Sequence, residues 1–218
     1  MTRLAAPLLI ASGILIGLSL HTAVNCGDAD EPDVCSAVIG FSPFRGSLIA
    51  FAYEGRGRIA LRHGNVTRAL ADFDEAINLN PNRASVFRGR AQARQRNGDL
   101  GGAIADFDQA IALDPNHAMP YRDRGLALAA RGDLDRAILS YNTAVRLAPS
   151  DAQARVSRGL ALLARGRPEE ARADFEAVLA LPKEPEPAAR DTTPYDTAKA
   201  KLAELGEVKP THVSSPVR

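Results

Sequence analysis

The chain has 218 residues, of which 45% are hydrophobic and only 5% aromatic. This length allows one main domain with a sizeable core, and the abundance of Ala, Leu and Arg favours packed helices over a sandwich of short strands. The 27 basic and 26 acidic residues almost cancel, so the chain lacks the positive field of a nucleic-acid-binding protein and we expect no nucleic-acid partner.

The first segment of the chain is apolar. Arg3 is followed by LAAPLLIASGILIGLSL, which carries no charge. Residues 1–25 are therefore predicted to be a signal peptide or a membrane anchor. Cleavage near Ala23 or Ala29 is the main expectation, while the run from Leu4 to Val24 is also long enough to span a bilayer, and a lipoprotein signal is a third alternative. We expect the protein in the periplasm or secreted, with retention in the inner membrane as the alternative.

Two cysteines follow this segment. Cys26 and Cys35 are nine positions apart, and disulfides form and persist in exported proteins. We predict a disulfide between them, with two unrelated thiols as the alternative. No metal site is expected, because the histidines are scattered singly along the chain.

A period of 34 residues runs through the middle of the chain. ADFDEAINLNPN begins at position 71, ADFDQAIALDPN at 105, LSYNTAVRLAPS at 139 and ADFEAVLALPKE at 173. Within each copy the apolar residues follow helical spacing, as Ala103, Phe107, Ala110 and Ile111 do. A second helical stretch lies half a period earlier, so each copy is predicted to contain two helices.

Helix-breaking residues recur at fixed places in this period. A glycine separates the two helices of each copy and is usually followed by Asn or Asp, which predicts a helix end and then an N-cap. These glycines are Gly64, Gly98, Gly132 and Gly166. A proline, at position 81, 115 or 149, closes each of the first three copies. We expect it to force the preceding residue out of the helix and to suit the first turn of the next one.

The repeated helix pair resembles the tetratricopeptide repeat. In the first copy, the residues that carry the resemblance are the aromatic Tyr53, then Gly57, and in the second helix Ala69 and Phe73. The later copies keep most of this pattern. The departures are Ala91 for the glycine of the second copy, and in the fourth copy Arg155 for the aromatic residue, Val178 for an alanine and Pro182 one place early.

The resemblance implies an all-α fold, an α-solenoid of about four helix-turn-helix repeats, because one helix pair cannot bury its apolar face alone. The four repeats are expected at residues 50–83, 84–117, 118–151 and 152–183, within the span 50–183. Residues 26–49, with the cysteine pair, are expected to supply an N-terminal half repeat.

Another helix is predicted beyond the repeats. Residues 184–190 are rich in Pro and charge and are predicted to be a linker. In the helix, residues 191–206, Thr193 and Pro194 suit the first turn. Its apolar stripe is formed by Tyr195, Ala198, Leu202 and Leu205. This helix is expected to cap the repeats, with binding of a partner as the alternative. Residues 207–218 are predicted to be disordered.

Motifs of catalysis are weak in this sequence. GRGRIA at positions 55–60 fits the glycine fingerprint of dinucleotide-binding proteins, but it lies in a predicted helix rather than between a strand and a helix. Asp72 and Asp74, echoed by Asp106 and Asp108, are interpreted as a solvated helix surface, because residues two apart on a helix point to different faces. We predict no enzymatic activity, no catalytic residue, no metal and no cofactor.

In tetratricopeptide proteins, the first helices of the repeats line a concave groove that receives a peptide or a protein. The resemblance assigns twelve residues to this groove: Glu54, Arg58, Arg62, Arg88, Gln92, Gln95, Arg96, Met119, Arg122, Val156, Leu160 and Leu163. The lining is basic at one end and apolar at the other, which favours a partner with an acidic segment or a C-terminal carboxylate.

This resemblance indicates a protein–protein interaction scaffold. Together with the apolar first segment, it predicts an exported bacterial tetratricopeptide protein that acts in the envelope. The alternative is a structural or assembly subunit of a membrane-associated complex, held through its anchor or its C-terminal helix. Contact with a membrane is expected only through an uncleaved N-terminal segment.

Overall fold

A computed structural model describes residues 35, 36, 39, 46–182 and 193–207. In this part of the chain every long regular element is an α-helix, which confirms the all-α prediction. The predicted signal or anchor, Cys26, the linker and residues 208–218 lie outside the described residues. Among the helices of the described part, none is long and apolar enough to cross a membrane.

The chain divides into two compact units between Pro115 and Asn116. The first unit contains two helix pairs, and within each pair the helices pack against each other. These helices are α1 (Ser47–Arg62), α2 (Val66–Leu79), α3 (Ala84–Arg96) and α4 (Leu100–Leu113). Helix α3 also contacts α2 and α1, so the second pair stacks on the first.

The second unit repeats this arrangement and adds one helix. Its helices are α5 (Ala118–Ala130), α6 (Leu134–Leu147), α7 (Ala152–Ala164), α8 (Pro168–Leu179) and α9 (Pro194–Glu207). Helix α7 contacts α6 and α5 as α3 contacts α2 and α1. The 34-residue period of the sequence is therefore the period of the helix pairs.

Large aromatic side chains of the second helices meet glycines of the first helices in the core. Phe73, Tyr141 and Phe175 are at most 1% exposed. A Cβ atom placed on Gly125 would lie 2.5 Å from a ring carbon of Tyr141, and one on Gly159 would lie 2.6 Å from Phe175. At these two positions the ring occupies the space that a side chain would need.

The turn inside each pair follows the prediction. Gly64, Gly98, Gly132 and Gly166 all adopt positive φ, between 72° and 88°. The backbone N–H of Asn65 donates to the carbonyl of Ala60, and that of Gly64 to Leu61, which is the Schellman closure of a helix. The side chains of Asn65 and Asp99 then accept from the first turns of α2 and α4.

The prolines act differently from the prediction. The residue before each one is non-helical, as expected, with φ of −149° at Asn80 and −132° at Ala148. However, α3 begins only at Ala84 and α7 only at Ala152. The prolines therefore occupy the turn between pairs and not the first turn of the next helix, because these turns are long enough to place the proline before the N-cap.

Helix α9 packs against α8 and α7, as predicted for a capping helix. Thr193 and Asp196 form a capping box: the Asp196 backbone N–H donates to Thr193 Oγ1 at 3.2 Å, and the Thr193 N–H donates to the Asp196 carboxylate at 3.2 Å. Ala198 is fully buried, and Arg172 of α8 donates to the Leu205 carbonyl at 3.0 Å. The apolar stripe of α9 is therefore largely used within this unit.

The described residues before α1 also pack on the first repeat. Cys35 is fully buried in a cluster with Ala52 and Ile59 of α1, and Ile39 packs against the same cluster. This contact supports the predicted N-terminal half repeat. The pairing of Cys35 with Cys26 stays a prediction, since Cys26 lies outside the described residues.

Candidate partner-binding surface

Helices α1 and α3 of the first unit carry most of the basic groove residues. Arg58 and Arg62 on α1 and Arg96 on α3 are exposed, while Arg88, Gln92 and Gln95 on α3 are half-buried. Arg96 donates to the backbone carbonyl of Leu61, so the C-terminal ends of α1 and α3 lie side by side. Together the two helices present four arginines and two amides.

Glu54, the acidic residue of the predicted set, is placed differently. It is 3% exposed, and its Oε2 accepts from Nη2 of Arg83 at 2.6 Å and from Nε at 3.1 Å. Its charge is therefore compensated inside the repeat packing and is not presented to a partner. The accessible surface of α1 and α3 is more basic than the sequence pattern indicates.

The second unit places its groove residues on α5 and α7, which contact each other. Met119 and Leu163 are half-buried and Leu160 is 39% exposed. Val156 is 3% exposed, so it contributes to helix packing and not to an accessible surface. The accessible apolar surface here is formed mainly by Leu160, with parts of Met119 and Leu163.

Arg122 on α5 is held by two carboxylates. Its Nη2 lies 3.1 Å from Asp123 and its Nη1 lies 2.9 Å from Asp151. Burial lowers the pKa of Arg122, but the two carboxylates outweigh it, so the pKa is raised overall. Asp151 also accepts from the backbone N–H of Ala154 in the first turn of α7. Arg122 therefore stabilises the helix packing, and its replacement would disturb more than a binding surface.

A set of buried arginine–aspartate pairs joins the two helices of a repeat. The pairs join residues 16 positions apart: Arg56 with Asp72, Arg90 with Asp106 and Arg158 with Asp174. Each is bidentate, with one N–O distance of 2.7–2.9 Å and a second of 2.5–2.7 Å. The aspartate side chains are 4% exposed. In the third repeat Arg124 donates to Ser140 instead, at 3.1 Å.

These pairs correct part of the sequence interpretation. Asp74 and Asp108 are exposed as expected, but Asp72 and Asp106 are each 3% exposed and lie in the interior. Bidentate hydrogen bonds to the buried carboxylates raise the pKa of Arg56 and Arg90. The aspartates can be buried because a guanidinium group satisfies both oxygens. The recurrence of an arginine 16 residues before each aspartate was the available signal.

Two of these arginines also connect neighbouring repeats. Arg90 reaches Asp74 on the preceding helix, with an N–O distance of 2.7 Å. Arg158 donates to Asn142 on the preceding helix at 2.9 Å. In the first three repeats the same arginine lies over the aromatic ring three residues before it, at 5.3–5.6 Å from the centroid. These contacts hold the first helices in place against the second helices.

Within the described residues, no group of three or more His, Cys, Asp or Glu side chains could hold a metal ion. The glycine-rich stretch at positions 55–60 lies inside α1. It therefore has no strand-to-helix turn at which a dinucleotide phosphate could be bound.

A comparison of the sequence with protein families agrees with the helix pairs seen in the structure. A tetratricopeptide-repeat family profile matches residues 54–118 and 122–185, more than half of the chain. The chain belongs to the tetratricopeptide-repeat family.

Solved structures share this fold at low sequence identity. MamA from Desulfovibrio magneticus RS-1, solved from residue 41 to its end, superposes with a TM-score of 0.66 at 18% identity, covering 76% of this chain and 93% of the solved one. YrrB, described as a tetratricopeptide protein with an unusual peptide-binding site, has a TM-score of 0.59 at 18% identity, covering 74% and 81%.

The first tetratricopeptide domain of Spaghetti (RPAP3), solved with the HSP90 peptide SRMEEVD, has a TM-score of 0.55 at 22% identity. It covers 57% of this chain and 99% of the domain. Comparison with curated proteins finds no match. These likenesses establish the fold of this chain.

Proposed function

We propose that this protein is an interaction scaffold of the bacterial envelope and that it binds a peptide or protein partner on the first helices of its repeats. The family supports the class of function, since tetratricopeptide proteins generally serve as non-catalytic interaction scaffolds. The observation that carries the site is the surface of α1 and α3. Four arginines lie there on adjacent helices, while Glu54 is buried and paired.

The partner of this surface carries an acidic segment or a C-terminal carboxylate. Guanidinium groups bind carboxylates through two parallel hydrogen bonds, which gives both charge and geometric selectivity. Gln92 and Gln95 add amide donors and acceptors between the arginines. Two of the solved relatives are described with a peptide or a peptide-binding site, so a peptide is a reasonable occupant of this surface too.

The second unit offers a separate contact for an apolar side chain of a partner. Leu160 is exposed beside the half-buried Leu163 on α7. An exposed leucine of this kind suits an apolar anchor of a peptide.

Export from the cytoplasm is supported by the uncharged run after Arg3 and by the two cysteines. The protein then acts in the periplasm or after secretion, with an uncleaved segment holding it to the inner membrane as the alternative. Fractionation of cells that express the full chain tests this proposal. A shift in gel mobility after reduction and alkylation, seen in the exported pool only, would establish the Cys26–Cys35 disulfide, whereas two alkylated thiols in that pool would contradict it.

The alternative is an assembly subunit bound through α9. The packing of α9 disfavours this alternative, because Ala198 is buried and α9 packs on α7 and α8. If it holds, deletion of residues 193–207 should abolish binding of a partner that the arginine variants of α1 and α3 still retain.

A selection from a peptide-display library tests the first proposal. With the full chain as target, we expect enrichment of Asp and Glu or of a free C-terminal carboxylate. A matched selection with the Arg58→Ala/Arg88→Ala variant should lose this enrichment. Enrichment that is the same for both targets would contradict the assigned surface.

A further inference from the structure

A cleft lies in the second unit between α6, α7 and α8. Its volume is about 340 Å³, within the range of small-molecule sites. Three arginines line it, Arg155, Arg158 and Arg167, together with the carboxylates of Glu170 and Asp174. None of these residues belongs to the partner-binding set of the first helices.

The equivalent place in the first unit has different side chains. The equivalent residues of the first unit lie 68 positions earlier in the chain. Phe87 corresponds to Arg155, and Arg94 corresponds to Leu162. The Phe87 ring lies 5.6 Å from the Arg90 guanidinium, and Arg94 reaches across to Asp106 at 2.8 Å. The second unit has lost both the ring and the long side chain, and the cleft is at this place.

The charge of this place also changes between the units. In the first unit Arg90 and Arg94 face three carboxylates, those of Asp74, Asp99 and Asp106. In the second unit Asn142 replaces Asp74 and Arg167 replaces Asp99, so three guanidinium groups face two carboxylates. The equivalent place in the first unit therefore has an excess of negative charge, and the cleft has an excess of positive charge.

Two of the three arginines are already paired with carboxylates. Arg158 is bidentate to Asp174 and also donates to Asn142, and Arg167 is bidentate to Glu170 at 2.6 and 2.7 Å. Arg155 therefore carries the excess positive charge of the cleft. Its Nε donates to the carbonyl of Pro149 at 2.9 Å, while its Nη1 lies 3.8 Å from Asp174, too far for a good hydrogen bond. Its side chain is 19% exposed.

We propose that this cleft is a second binding site, one for a single oxyanion group, a carboxylate or a phosphate. The Nη atoms of Arg155 donate to the anion, and Arg158 and Arg167, fixed by their own carboxylates, add positive potential at the walls. A planar guanidinium with unused donors in a partly enclosed cleft suits an oxyanion because both charge and hydrogen-bond geometry match. The site stands independently of the proposed peptide surface.

Titration of the full chain with inorganic phosphate and, separately, with N-acetylglycine at constant ionic strength tests this proposal. The readout is the ¹H–¹⁵N signal of each arginine Nε. We expect a saturable shift of Arg155 with at least one probe, and a linear drift or none at Arg146, an exposed arginine on α6. Response to phosphate alone assigns a phosphoryl group, and response to N-acetylglycine alone assigns a carboxylate.

Arg155→Phe restores the aromatic residue that the other repeats carry and should close the cleft. Arg158 lines the same cleft, so its Nε signal should also respond saturably in the wild type and can report binding in this variant. There the apparent affinity should fall at least about tenfold while the melting temperature does not fall. Arg155→Gln keeps a polar side chain and should also weaken binding. It is the second test variant, for the case that the phenylalanine disturbs the fold. Binding unchanged in both variants, or equal linear drifts of Arg155 and Arg146, would overturn the proposal.

Discussion

Glu54 on α1 and Arg83, the residue before α3, form an ion pair at 2.6 Å whose polarity is reversed at the equivalent positions of the second unit. There Arg122 pairs with Asp151 at 2.9 Å. Both pairs join residues 29 positions apart. The fold therefore accepts a pair of opposite charges at this place in either orientation.

Arg83→Ala should destabilise the protein by about 3 kcal/mol, because it leaves the buried Glu54 carboxylate without its partner. The double variant Glu54→Arg/Arg83→Asp should recover most of this loss, since it copies the Arg122–Asp151 polarity and places an N-cap aspartate before α3. Urea denaturation of the wild type and both variants measures the difference. An Arg83→Ala midpoint equal to that of the wild type would show that the pair is unimportant.

Gly159→Ala should destabilise the fold by about 1–3 kcal/mol, because the new methyl group would lie 2.6 Å from the Phe175 ring. The gain in helix propensity, about 1 kcal/mol, offsets only part of this cost. Gly101→Ala is the matched control: nothing nearer than 3.9 Å meets its Cβ, so that variant should be as stable as the wild type or more so. Thermal melts that rank the two variants in the opposite order would contradict the close packing of Phe175 on Gly159.

Tyr141 makes stability depend on pH at the alkaline end. Burial raises the pKa of its phenol, and a hydrogen bond with Ser157 only partly opposes this. The unfolded chain releases the proton near pH 10, before the folded chain does, so the free energy of unfolding should fall as pH rises above about 10. Tyr141→Phe should show a shallower fall between pH 9 and 11 in denaturant titrations. Equal slopes for the two proteins would exclude this contribution.

Helix α9 should stabilise the last repeat. Ala198 is fully buried in its contact with the unit, so Ala198→Leu should overpack it and cost about 1–3 kcal/mol. Ala203→Leu, at an exposed position of the same helix, is the control and should change little. Amide hydrogen exchange should become faster in α7 and α8 with Ala198→Leu alone. Unchanged exchange in those two helices would favour a role for α9 in binding a partner.

The repeat period, the helix pairs and the turn glycines could be predicted because they depend on local physical rules. Glycine at positive φ ends a helix, and Asn or Asp begins the next. The register of a second-helix aromatic residue against a first-helix glycine also follows from the repeat pattern, as Phe73 and Gly57 show.

The electrostatic interior could not be predicted in the same way. Asp72 is a charged residue in a helix, where an exposed position is the ordinary expectation. Its burial depends on Arg56, which lies 16 residues earlier on another helix. Glu54 pairs with Arg83, 29 residues later. At the equivalent positions of the second unit the two charges are exchanged. Such pairs are set by the stacking of helices, so a local pattern assigns these residues to the surface.

The binding site on the first helices is the central claim, and the affinity of a selected acidic peptide for arginine variants tests it most directly. Arg58→Ala/Arg88→Ala should weaken binding at least about tenfold and reduce its salt dependence. Arg68→Ala/Arg146→Ala, which removes two exposed arginines of the second helices α2 and α6, should bind as the wild type does. Equal affinity of the wild type and the Arg58→Ala/Arg88→Ala variant, with their melting temperatures matched, would contradict the assignment of the partner to α1 and α3.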